Sequence, residues 1–420
     1  MPRRVAGTAV VIRAMENTCD VLIVGGGLVG SSLACALEGA GLRVTLAEAV
    51  PPVVAAPPSF DERNLALARA SANALSALGV WRHLASPPAP IHHIHVSSRG
   101  DFGAVRLDAA ARRMDAFGHV VVARELGQAL EARLVELHDT ERLRPVRVGG
   151  IEVLADGVRA SIEHENGTRA LHARLLVAAD GTDSALRGAL GIGADVLDYR
   201  QTLFVAVAQA SRAPPDTAYE RFTPDGPVAL LPLGGGRLGS VCTVPAEQAD
   251  SVAALDDAGY LALLQQRFGW RAGRFSRVGK RSAYRMRKVT AQRLVAPRAV
   301  LIGNAAQTLH PIGAQGFNLG LRDALTLAEL ITRAHAEGGD IASPKLLSAY
   351  AARRAPDRDA TVAMSDGLVR LFSNTFAPLR LLRSAGFVAL DRVPGLADGL
   401  VSDAMGYGHD VSHWAQEQVA

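Results

Sequence analysis

The stretch from Cys19 to Glu48 limits the fold of this chain more than any other. It contains a short apolar run, Val21 to Val24, of the kind found in strands that are buried on both faces. The glycine spacing G-x-G-x-x-G follows directly, at Gly25, Gly27 and Gly30. The first glycine permits a sharp turn, the second lets a pyrophosphate approach the backbone, and the third lets a helix pack on the strand. The sequence therefore predicts a strand, a turn and a helix whose first amides face a dinucleotide.

An acidic residue stands where such a fold places its ribose contact. A second predicted strand, Arg43 to Ala47, ends at Glu48. A carboxylate there accepts hydrogen bonds from ribose hydroxyls and disfavours a 2′-phosphate. FAD or NAD therefore fits this first site better than NADP.

Composition bounds the class of protein. The chain has 420 residues, 49% hydrophobic and 20% charged, which predicts two or three globular domains. Its net charge of +4 is modest, and no nucleic-acid-binding module accompanies it, so nucleic acid is not an expected partner. The three cysteines are far apart and form no C-x-x-C, which excludes a dithiol redox centre of the usual spacing.

The chain shows no transmembrane run. The first 15 residues are too short and too poorly patterned for a signal peptide. We expect residues 1–18 to be a disordered extension, or the first 14 to result from an upstream start. The expected location is the cytoplasm.

Several local patterns predict the elements that follow. Residues 50–58 form a proline-rich loop, 61–78 have helical spacing, and 91–107 alternate like a hairpin. The histidines of that hairpin lie on both faces of a strand without nearby carboxylates, so no metal site is predicted. Residues 119–138 predict a strand and a helix, and 151–180 predict a meander with a turn at Asn166-Gly167.

Two arginines stand at element junctions. Arg63 lies at the start of the predicted helix 61–78, where it reaches a cofactor phosphate or is a solvated charge. Arg124 follows the strand at 119, where a guanidinium can clamp a pyrophosphate or simply begin a helix.

The composition shifts towards sheet after residue 200. Four segments between 200 and 245 alternate like antiparallel strands and are separated by proline and glycine turns. We predict an FAD-binding domain at 19–82, 119–197 and 286–343, a substrate-binding sheet domain at 83–118 and 198–285, and C-terminal helices at 344–420. The fold class is α/β, or α+β overall.

Residues 267–293 carry ten lysines and arginines and no acid. The simplest interpretation is a solvated face. The alternatives are a surface that attracts NADPH phosphates or anionic lipid headgroups.

Two further strand ends carry polar residues. The predicted strand 170–178 leads to Asp180-Gly181, within D-G-x-x-S-x-x-R, and a carboxylate leaving a buried strand there is a second candidate cofactor contact. A buried strand at 299–302 leads to Gly303-Asn304, and Gly316 then begins a helix. The positive N-terminus of that helix favours negative charge, such as that on a reduced flavin ring.

Together these three motifs resemble the flavoprotein aromatic hydroxylases, or class A monooxygenases. FTPDGPVALLPL and SDGLVRLFSN resemble the ubiquinone-biosynthesis branch of that family, and the resemblance runs from about residue 19 to about residue 406. It implies an FAD- and NAD(P)H-dependent hydroxylation of a polyprenyl phenol by dioxygen, by way of a flavin hydroperoxide. It also implies possible contact with a quinone-biosynthesis complex and with the inner face of the cell membrane.

The resemblance implies roles for single residues. Gly25, Gly27, Gly30 and Glu48 hold the ADP half of FAD, with Arg124 near the pyrophosphate or ribityl chain. Asp180 and Gly181 lie where FAD and nicotinamide share a groove. Asn304 replaces the aspartate of most of the superfamily and bonds a ribityl hydroxyl. The residues expected to line the isoalloxazine are Gln315, Gly316, Phe317 and Asn318, although Gly313 and Ala314 are exchanged relative to the usual loop.

His310 is the candidate base for the phenol proton, against a purely structural role beside Pro311. The C-terminal helices either lie on a membrane or pack on the cofactor domain. A flavin halogenase is disfavoured because W-x-W-x-I-P is absent. An isoprenoid reductase, a hydroxylase of another substrate and a non-catalytic flavin-binding scaffold stay open.

Overall fold

A computed structural model describes residues 18–51, 63–165, 167–374 and 376–416. Its strands are β1 (Thr18–Val24), β2 (Val44–Ala47), β3 (Asn64–Ala68), β4 (Ala89–Pro90), β5 (His93–Ser98), β6 (Ala104–Asp108), β7 (Gly118–Val122), β8 (Thr140–Leu143), β9 (Arg147–Val153), β10 (Val158–His164), β11 (Gly167–Ala178), β12 (Ala194–Ala210), β13 (Thr217–Phe222), β14 (Val228–Pro232), β15 (Arg237–Pro245), β16 (Phe275–Val278), β17 (Ser282–Ala291), β18 (Val295–Ala296), β19 (Ala299–Leu301) and β20 (Gln307–Thr308). Its helices are α1 (Leu28–Leu37), α2 (Arg69–Ala77), α3 (Ala123–Val135), α4 (Ala185–Ala189), α5 (Ala249–Ala253), α6 (Asp257–Phe268), α7 (Gln315–Ala336), α8 (Pro344–Phe372), α9 (Ala377–Arg392) and α10 (Asp398–Ala404).

The first sheet is built around β1. Its order is β18-β19-β11-β1-β2-β8, and the pairs from β19 to β8 are parallel. β10 and β9 extend it from β11 as antiparallel neighbours. Leu22 and Ile23 are completely buried because side chains from helices cover the central strands. Parallel pairing brings the carboxyl ends of β1, β11 and β19 to one edge.

The second sheet has the order β20-β17-β12-β15-β14-β13-β5-β6, with β16 beside β12. Its pairs are antiparallel except β5 with β13, which run parallel. The predicted combination of a Rossmann-like parallel sheet, an antiparallel sheet and C-terminal helices is confirmed, apart from that one parallel pair. A third sheet, β3-β7-β4, contributes its first strand to the region between the two.

The predicted domain limits stay a prediction. Two of them, after residues 197 and 285, fall inside β12 and β17. These two strands pair with each other from Ala194 with Ala291 to Val205 with Ser282. This continuous pair of strands therefore joins the second sheet to the edge of the first sheet where β1, β11 and β19 end, which we call the cofactor edge.

One predicted helix is wrong in its first half. Residues 64–68 form β3, and the helix begins only at Arg69. Leu65 and Ala68 fit a helical face by spacing, but β3 is held in the extended form by its pairing with β7. Tertiary pairing thus overrides the local pattern.

Other predictions fall on residues outside those described. They are the extension up to residue 17, most of the proline-rich loop and the Asn166 half of the predicted turn; Thr18 already belongs to β1. Among the described residues, no helix is long and apolar enough to cross a membrane. In the same residues, no group of three or more His, Cys, Asp or Glu side chains is arranged to hold a metal ion.

Candidate functional site: three strand ends at one sheet edge

The glycine turn after β1 is closed on one side and open on the other. A Cβ at Gly25, which has a φ of +108°, would stand 2.3 Å from the Ala179 carbonyl oxygen. A Cβ at Gly30 would stand 2.0 Å from the Gly25 carbonyl oxygen, so only glycine lets α1 pack this closely. A Cβ at Gly27 would meet nothing within 4 Å. The backbone is thus tight against the sheet and leaves room for a phosphate at the start of α1.

Glu48 fastens this turn to the end of β2. Its carboxylate accepts hydrogen bonds from the backbone amides of Gly26, at 2.6 Å, and Val50, at 2.7 Å. A carboxylate can accept about four hydrogen bonds, so two amides leave capacity for ribose hydroxyls. The ribose contact stays a prediction.

The second motif is a helix cap joined to the third motif. The Asp180 carboxylate accepts bonds from the Ser184 hydroxyl and from the Leu186 amide, which fixes the start of α4. The Arg187 guanidinium donates to the carbonyl of Ala305 at 2.9 Å and to that of Thr182 at 3.1 Å. A Cβ at Gly181 would meet nothing within 4 Å. Asp180 therefore shapes the edge, while the open space at Gly181 is where a ligand can approach.

The third motif places the N-terminus of a long helix at the same edge. Ile302 donates its amide to the Ala178 carbonyl at 3.0 Å, and Ala179 donates to Val24 at 2.8 Å. α7 begins at Gln315, so the amides of Gln315, Gly316 and Phe317 lack partners within the helix. A Cβ at Gly316 would meet nothing within 4 Å, and Asn304 is exposed. These features fit an anionic ring edge held at the helix N-terminus.

The loop before α7 carries backbone strain. Gly313 has a φ of +67°, and the following Ala314 has a φ of +54°. Both residues therefore lie in the left-handed region, which costs an alanine about 1–2 kcal/mol. The exchange of Gly313 and Ala314 noted in the sequence thus places a Cβ at a left-handed position.

Some predicted ring-lining residues have other tasks. Asn318 is 1% exposed, accepts a bond from the Ala68 amide at 2.9 Å, and donates to the carbonyls of Ala66 and Ala314. Its side chain therefore clamps β3 to the start of α7 and offers no open surface to a ring. Gln315 is also buried, and its amide donates to the Gly313 carbonyl at 3.2 Å. Phe317 is half-buried and packs against the main core, and a Cβ at Gly316 would meet open space, so the contact of these two residues with a ring stays a prediction.

His310 is not placed to act as the base. It is 1% exposed, its Nε2 lies 3.2 Å from Gln201 Oε1, and its ring meets Tyr199 edge-on. Burial lowers its pKa to about 4, so it is neutral at pH 7. The Ser365 hydroxyl donates to its carbonyl. A structural role fits this geometry because a sealed ring cannot reach a substrate.

The two predicted phosphate clamps lie side by side. Ala123, which precedes Arg124, donates its amide to the Arg63 carbonyl at 2.8 Å. The Arg63 guanidinium carbon lies 5.2 Å from the ring centroid of Tyr284 on the second sheet, which is a cation–π distance. Arg63, which precedes β3 of the third sheet, therefore contacts the second sheet, and its contact with a phosphate stays a prediction, as does that of Arg124.

A buried ion network behind the edge has no local sequence signal. Arg354 is completely buried and donates to Asp323 and to Asp357, each at 2.7 Å, and Arg322 donates to Asp357 at 2.7 and 3.0 Å. Burial raises the pKa of Asp357, but the charges and hydrogen bonds of Arg322 and Arg354 outweigh it and bring the pKa to about 2. Asp323 also accepts from the Gly303 amide, at 3.2 Å. The network therefore holds α7, α8 and the third motif together.

Five of the ten basic residues in the run 267–293 pair with acids of the described residues. Arg267 is buried and donates to the Thr243 carbonyl, and Arg285 pairs with Asp198 at 2.6 Å. Arg287 pairs with Asp183, and Lys288 with Asp366. Acids from distant segments thus reduce the field that the sequence alone suggests. The alternatives of an NADPH-attracting or lipid-attracting surface stay untested.

Comparison with known proteins identifies the class. The model of a family described as FAD binding domain matches residues 18–365. A ubiquinone hydroxylase, UbiL, of Rhodospirillum rubrum is 37% identical, over 96% of this chain and 92% of its own length. The 3-demethoxyubiquinol 3-hydroxylase of Escherichia coli is 30% identical, over 92% of this chain and 98% of its own. The crystal structure of p-nitrophenol 4-monooxygenase PnpA from Pseudomonas putida, 21% identical, shares the fold with a TM-score of 0.76 over 93% of this chain and 99% of its own.

The family model and these relatives, on the fold described above, identify an FAD-dependent monooxygenase. Within that class, the chain belongs to the FAD-binding family that includes the ubiquinone hydroxylases.

Proposed function

We propose that this protein hydroxylates the aromatic ring of a polyprenyl phenol in ubiquinone biosynthesis, with FAD as cofactor and NAD(P)H as reductant. The ubiquinone-biosynthesis relatives support the pathway. The structural observation that carries the proposal is the open cofactor edge facing a half-buried apolar face of the second sheet. That face presents Leu231, Val241 and Val207, which suit an apolar aromatic substrate.

Bound FAD supplies the reduction of dioxygen by electrons from NAD(P)H and the oxygen transfer to the ring. The protein holds and orients it. The glycine turn and the first amides of α1 would hold its pyrophosphate, and Glu48 its ribose. The first amides of α7 would face its ring. The apolar sheet face excludes water and orients the phenol.

The finer activity also belongs to this proposal. The third motif, together with FTPDGPVALLPL and SDGLVRLFSN, resembles the sequences of 2-octaprenyl-6-methoxyphenol hydroxylases. We therefore propose a 2-polyprenylphenol as the substrate class. A hydroxylase of another phenol, an isoprenoid reductase and a flavin-binding scaffold are the competing functions.

The experiment is a metabolite profile of an aerobically grown strain that lacks this protein. Accumulation of a prenylated phenol lacking one ring hydroxyl supports the proposal and names the carbon. Purified protein is then assayed with that phenol for NAD(P)H oxidation and dioxygen uptake. Substrate-dependent reduction without dioxygen uptake identifies a reductase. No turnover despite bound FAD favours the scaffold, and normal quinone without an intermediate contradicts the pathway assignment.

The peripheral membrane contact has a structural candidate on α9. The outward side of this helix presents Leu381, Leu382 and Val388, with exposures of 63%, 68% and 40%. Surface helices normally present polar residues there. Arg370 on α8 and Arg392 at the end of α9 are largely exposed, and they pair with Asp366 at 3.0 Å and with Asp391 at 3.7 Å. A bilayer surface complements such an apolar ridge.

Vesicle sedimentation tests this contact. We expect the protein to bind vesicles containing anionic lipid. The double variant Leu381→Ser/Leu382→Ser is expected to bind at least about tenfold more weakly, because burying two leucines in the bilayer contributes about 3 kcal/mol or more to binding. The control Val135→Ser changes an equally exposed residue on α3. Equal binding by all three proteins would contradict the membrane contact and would favour a complex with other enzymes of the pathway as the partner of α9.

A further inference from the structure

The second sheet has two faces with different coverings. One face presents Phe204, Leu230 and Cys242, which are buried under Tyr260 and Leu264 of α6. The packing there is that of an ordinary sealed core. This face has no room for a ligand.

The opposite face is turned towards the cofactor edge. Three contacts establish this: Gly239 lies against the Asn64 side chain, Tyr284 lies under Arg63, and Gln201 bonds His310. Asn64 and Arg63 belong to β3 and the residue before it, and His310 to the loop before α7. Strand register places Gly239, Tyr284 and Gln201 on one face of the sheet. Side chains an even number of residues apart on a strand lie on the same face. Gln201 is four residues from Val205, Gly239 is two from Val241, which pairs with Val205, and Tyr284 is two from the β17 residue that pairs with Val205.

Glu220 lies in that same row. Register pairs Val205 with Val241, Val241 with Ala229, Ala229 with Glu220, and Glu220 with Val96. Its side chain is therefore on the face turned towards the cofactor edge, together with Ala218 and Phe222 of its own strand. Tyr219 and Arg221 are on the α6 side.

The neighbours of Glu220 on its strand face belong to apolar clusters. Ala218 belongs to a cluster with Ala66, Leu231 and Met405. Phe222 belongs to a cluster with Val96 and Ile312, and Ile312 lies three residues before Gln315. The carboxylate thus lies between two hydrophobic clusters, one of which includes the loop that leads to the helix N-terminus proposed for the flavin ring.

The carboxylate of Glu220 is half-buried, and within the described residues no hydrogen bond or ion pair is made to it. A buried carboxylate without a partner is costly, and such groups are uncommon outside functional sites. Burial raises the pKa of Glu220 to about 8.

Several other titratable and charged groups on the elements packed here have partners or are held neutral. Tyr199 donates to Asp366, and His310 is held neutral. Beyond Phe222, Asp101 is bonded to Ser98, Arg380 and Arg383. On α9, Asp391 pairs with Arg106, and on α10, Asp398 pairs with Arg112. Tyr284 and Arg63 also lie on this face, where the guanidinium stands over the ring. Of the described carboxylates named here, Glu220 is the one without a hydrogen-bond or ion-pair partner.

We propose that Glu220 binds the ring hydroxyl of the substrate and takes its proton. The inference rests on the proposed function and adds a catalytic residue to it. The ionised carboxylate accepts a hydrogen bond from the phenol, the O–H bond breaks, and the proton passes to a carboxylate oxygen. The electron pair stays on the phenol oxygen and makes the ring carbons ortho and para to it more nucleophilic. No other co-reactant is needed for this step, and the proton returns to the product oxygen.

The acid strength of Glu220 suits this task. An ordinary phenol has a pKa of about 10, and an ordinary glutamate is too weak a base to take its proton efficiently. A carboxylate with a raised pKa narrows that gap, which is how general bases are tuned by burial. The apolar walls that raise the pKa are also the walls that would hold a prenylated ring.

The test compares wild type, Glu220→Gln, Glu220→Asp and the control Tyr219→Phe, which changes the neighbouring residue on the sealed face. We expect Glu220→Gln to keep its FAD, to be at least as stable as wild type, and to lose about 100-fold in kcat/KM for the phenol. Wild-type kcat/KM rises with pH towards 8 and then levels, and Glu220→Gln removes this rise. Glu220→Asp retains part of the activity, and Tyr219→Phe is unchanged.

A binding measurement without turnover separates this inference from the proposed function. A short-chain 2-prenylphenol is titrated into the FAD-loaded protein without NAD(P)H, and flavin fluorescence is recorded. Because this phenol stays neutral from pH 6 to 9, its wild-type affinity rises about tenfold as Glu220 ionises and becomes a charged acceptor. Affinity for Glu220→Gln is flat across this range, and the O-methyl ether of the probe shows no rise with either protein.

Each outcome decides. If Glu220→Gln has the same kcat/KM, pH profile and binding profile as the wild type, the proposed role of Glu220 is overturned. The hydroxylase function is not affected by that result. If no phenol increases NAD(P)H oxidation by the wild type, the proposed function fails. The binding titration alone then decides whether Glu220 recognises a hydroxyl. If Glu220→Gln does not fold, Glu220→Asp replaces it, since a shortened carboxylate is expected to retain the pH-dependent binding at reduced affinity.

Discussion

The interface between α7 and α8 and the face of the second sheet around Glu220 both withdraw carboxylates from solvent. They differ in whether those carboxylates have charged partners. At the interface, Asp323 and Asp357 are buried and each has an arginine nitrogen at 2.7 Å. On the sheet face, Glu220 is half-buried without such a partner. The first arrangement fixes one structure, because a broken pair leaves a charge unpaired. The second leaves a polar group available for a ligand. The comparison teaches that pairing, rather than burial alone, separates structural from chemical carboxylates.

The largest effect is expected at the paired interface. Arg354→Met leaves Asp323 and Asp357 with less compensation, and we expect a loss of about 3–5 kcal/mol in the free energy of unfolding. Urea unfolding measures it. The control Arg353→Met changes the neighbouring residue, which is partly exposed and pairs with Glu329 and Asp410. That control is expected to cost under about 1 kcal/mol. Equal losses would remove the distinction between buried and exposed pairs.

The glycine turn extends the comparison to the backbone, because Gly30 is crowded by its neighbours and Gly27 faces open space. In Gly30→Ala, the new Cβ would overlap the Gly25 carbonyl, so the apoprotein is expected to lose about 1–3 kcal/mol or more. In Gly27→Ala, the Cβ enters open space and the φ of −69° suits alanine, so apoprotein stability is unchanged within about 0.5 kcal/mol. FAD affinity, measured by fluorescence titration, is expected to fall in both. A stable Gly30→Ala protein, or full FAD affinity in Gly27→Ala, contradicts this division.

The two carboxylates are expected to give stability opposite dependences on pH. The pKa of Asp357 lies below its ordinary value of 3.8, so its contribution is present above pH 4 and is lost as the pH falls towards about 2. The pKa of Glu220 is raised by burial from 4.5 to about 8, so the fold is favoured below pH 4.5 and loses stability as the pH rises to about 8.

Urea unfolding from pH 3 to pH 9 measures both dependences. Asp357→Asn is expected to be less stable than wild type at pH 7, with a difference that narrows on acidification. Glu220→Gln is expected to gain about 1–3 kcal/mol over wild type between pH 5 and 9. Parallel curves for the three proteins would show that neither carboxylate changes its proton affinity on folding.

The smallest effect is expected in the loop before α7. Ala314→Gly removes the Cβ from a left-handed residue and is expected to stabilise the protein by up to about 1 kcal/mol, although the added freedom of the unfolded chain offsets part of this gain. Gly313→Ala places a Cβ at the neighbouring left-handed position and is expected to cost about 1 kcal/mol. Melting temperatures compare the two variants, and opposite signs are required.

Much of the architecture could be predicted because its signals are local. The G-x-G-x-x-G turn, the buried runs of β1 and β11 and the alternation of β12 to β15 each lie within a short window. β3 could not be predicted, because Leu65 and Ala68 fit a helix as well as a strand until β7 is known to lie beside them. The parallel pairing of β5 with β13 joins segments that are distant in the chain and has no sequence signal of its own.

The candidate site was predicted better in position than in detail. The three motifs do meet at one edge, but Asn318 and His310 are used by the fold itself, which only their burial reveals. Glu220 was missed because an acid in an alternating strand resembles a solvated residue. A signal existed: Glu220 shares its strand face with Ala218 and Phe222, so an acid stands on the apolar side of the pattern.

The meeting of the three strand ends has a consequence for synthesis. β1 and α1 leave the ribosome early, whereas β19 and α7 emerge only after most of the chain has been made. Until then the parallel sheet lacks one of its neighbours, and Arg187 has no Ala305 carbonyl to hold. Domains generally fold as units during translation. A nascent chain therefore carries an unfinished cofactor edge for most of its synthesis, and uptake of FAD becomes a late step that reports a nearly complete chain.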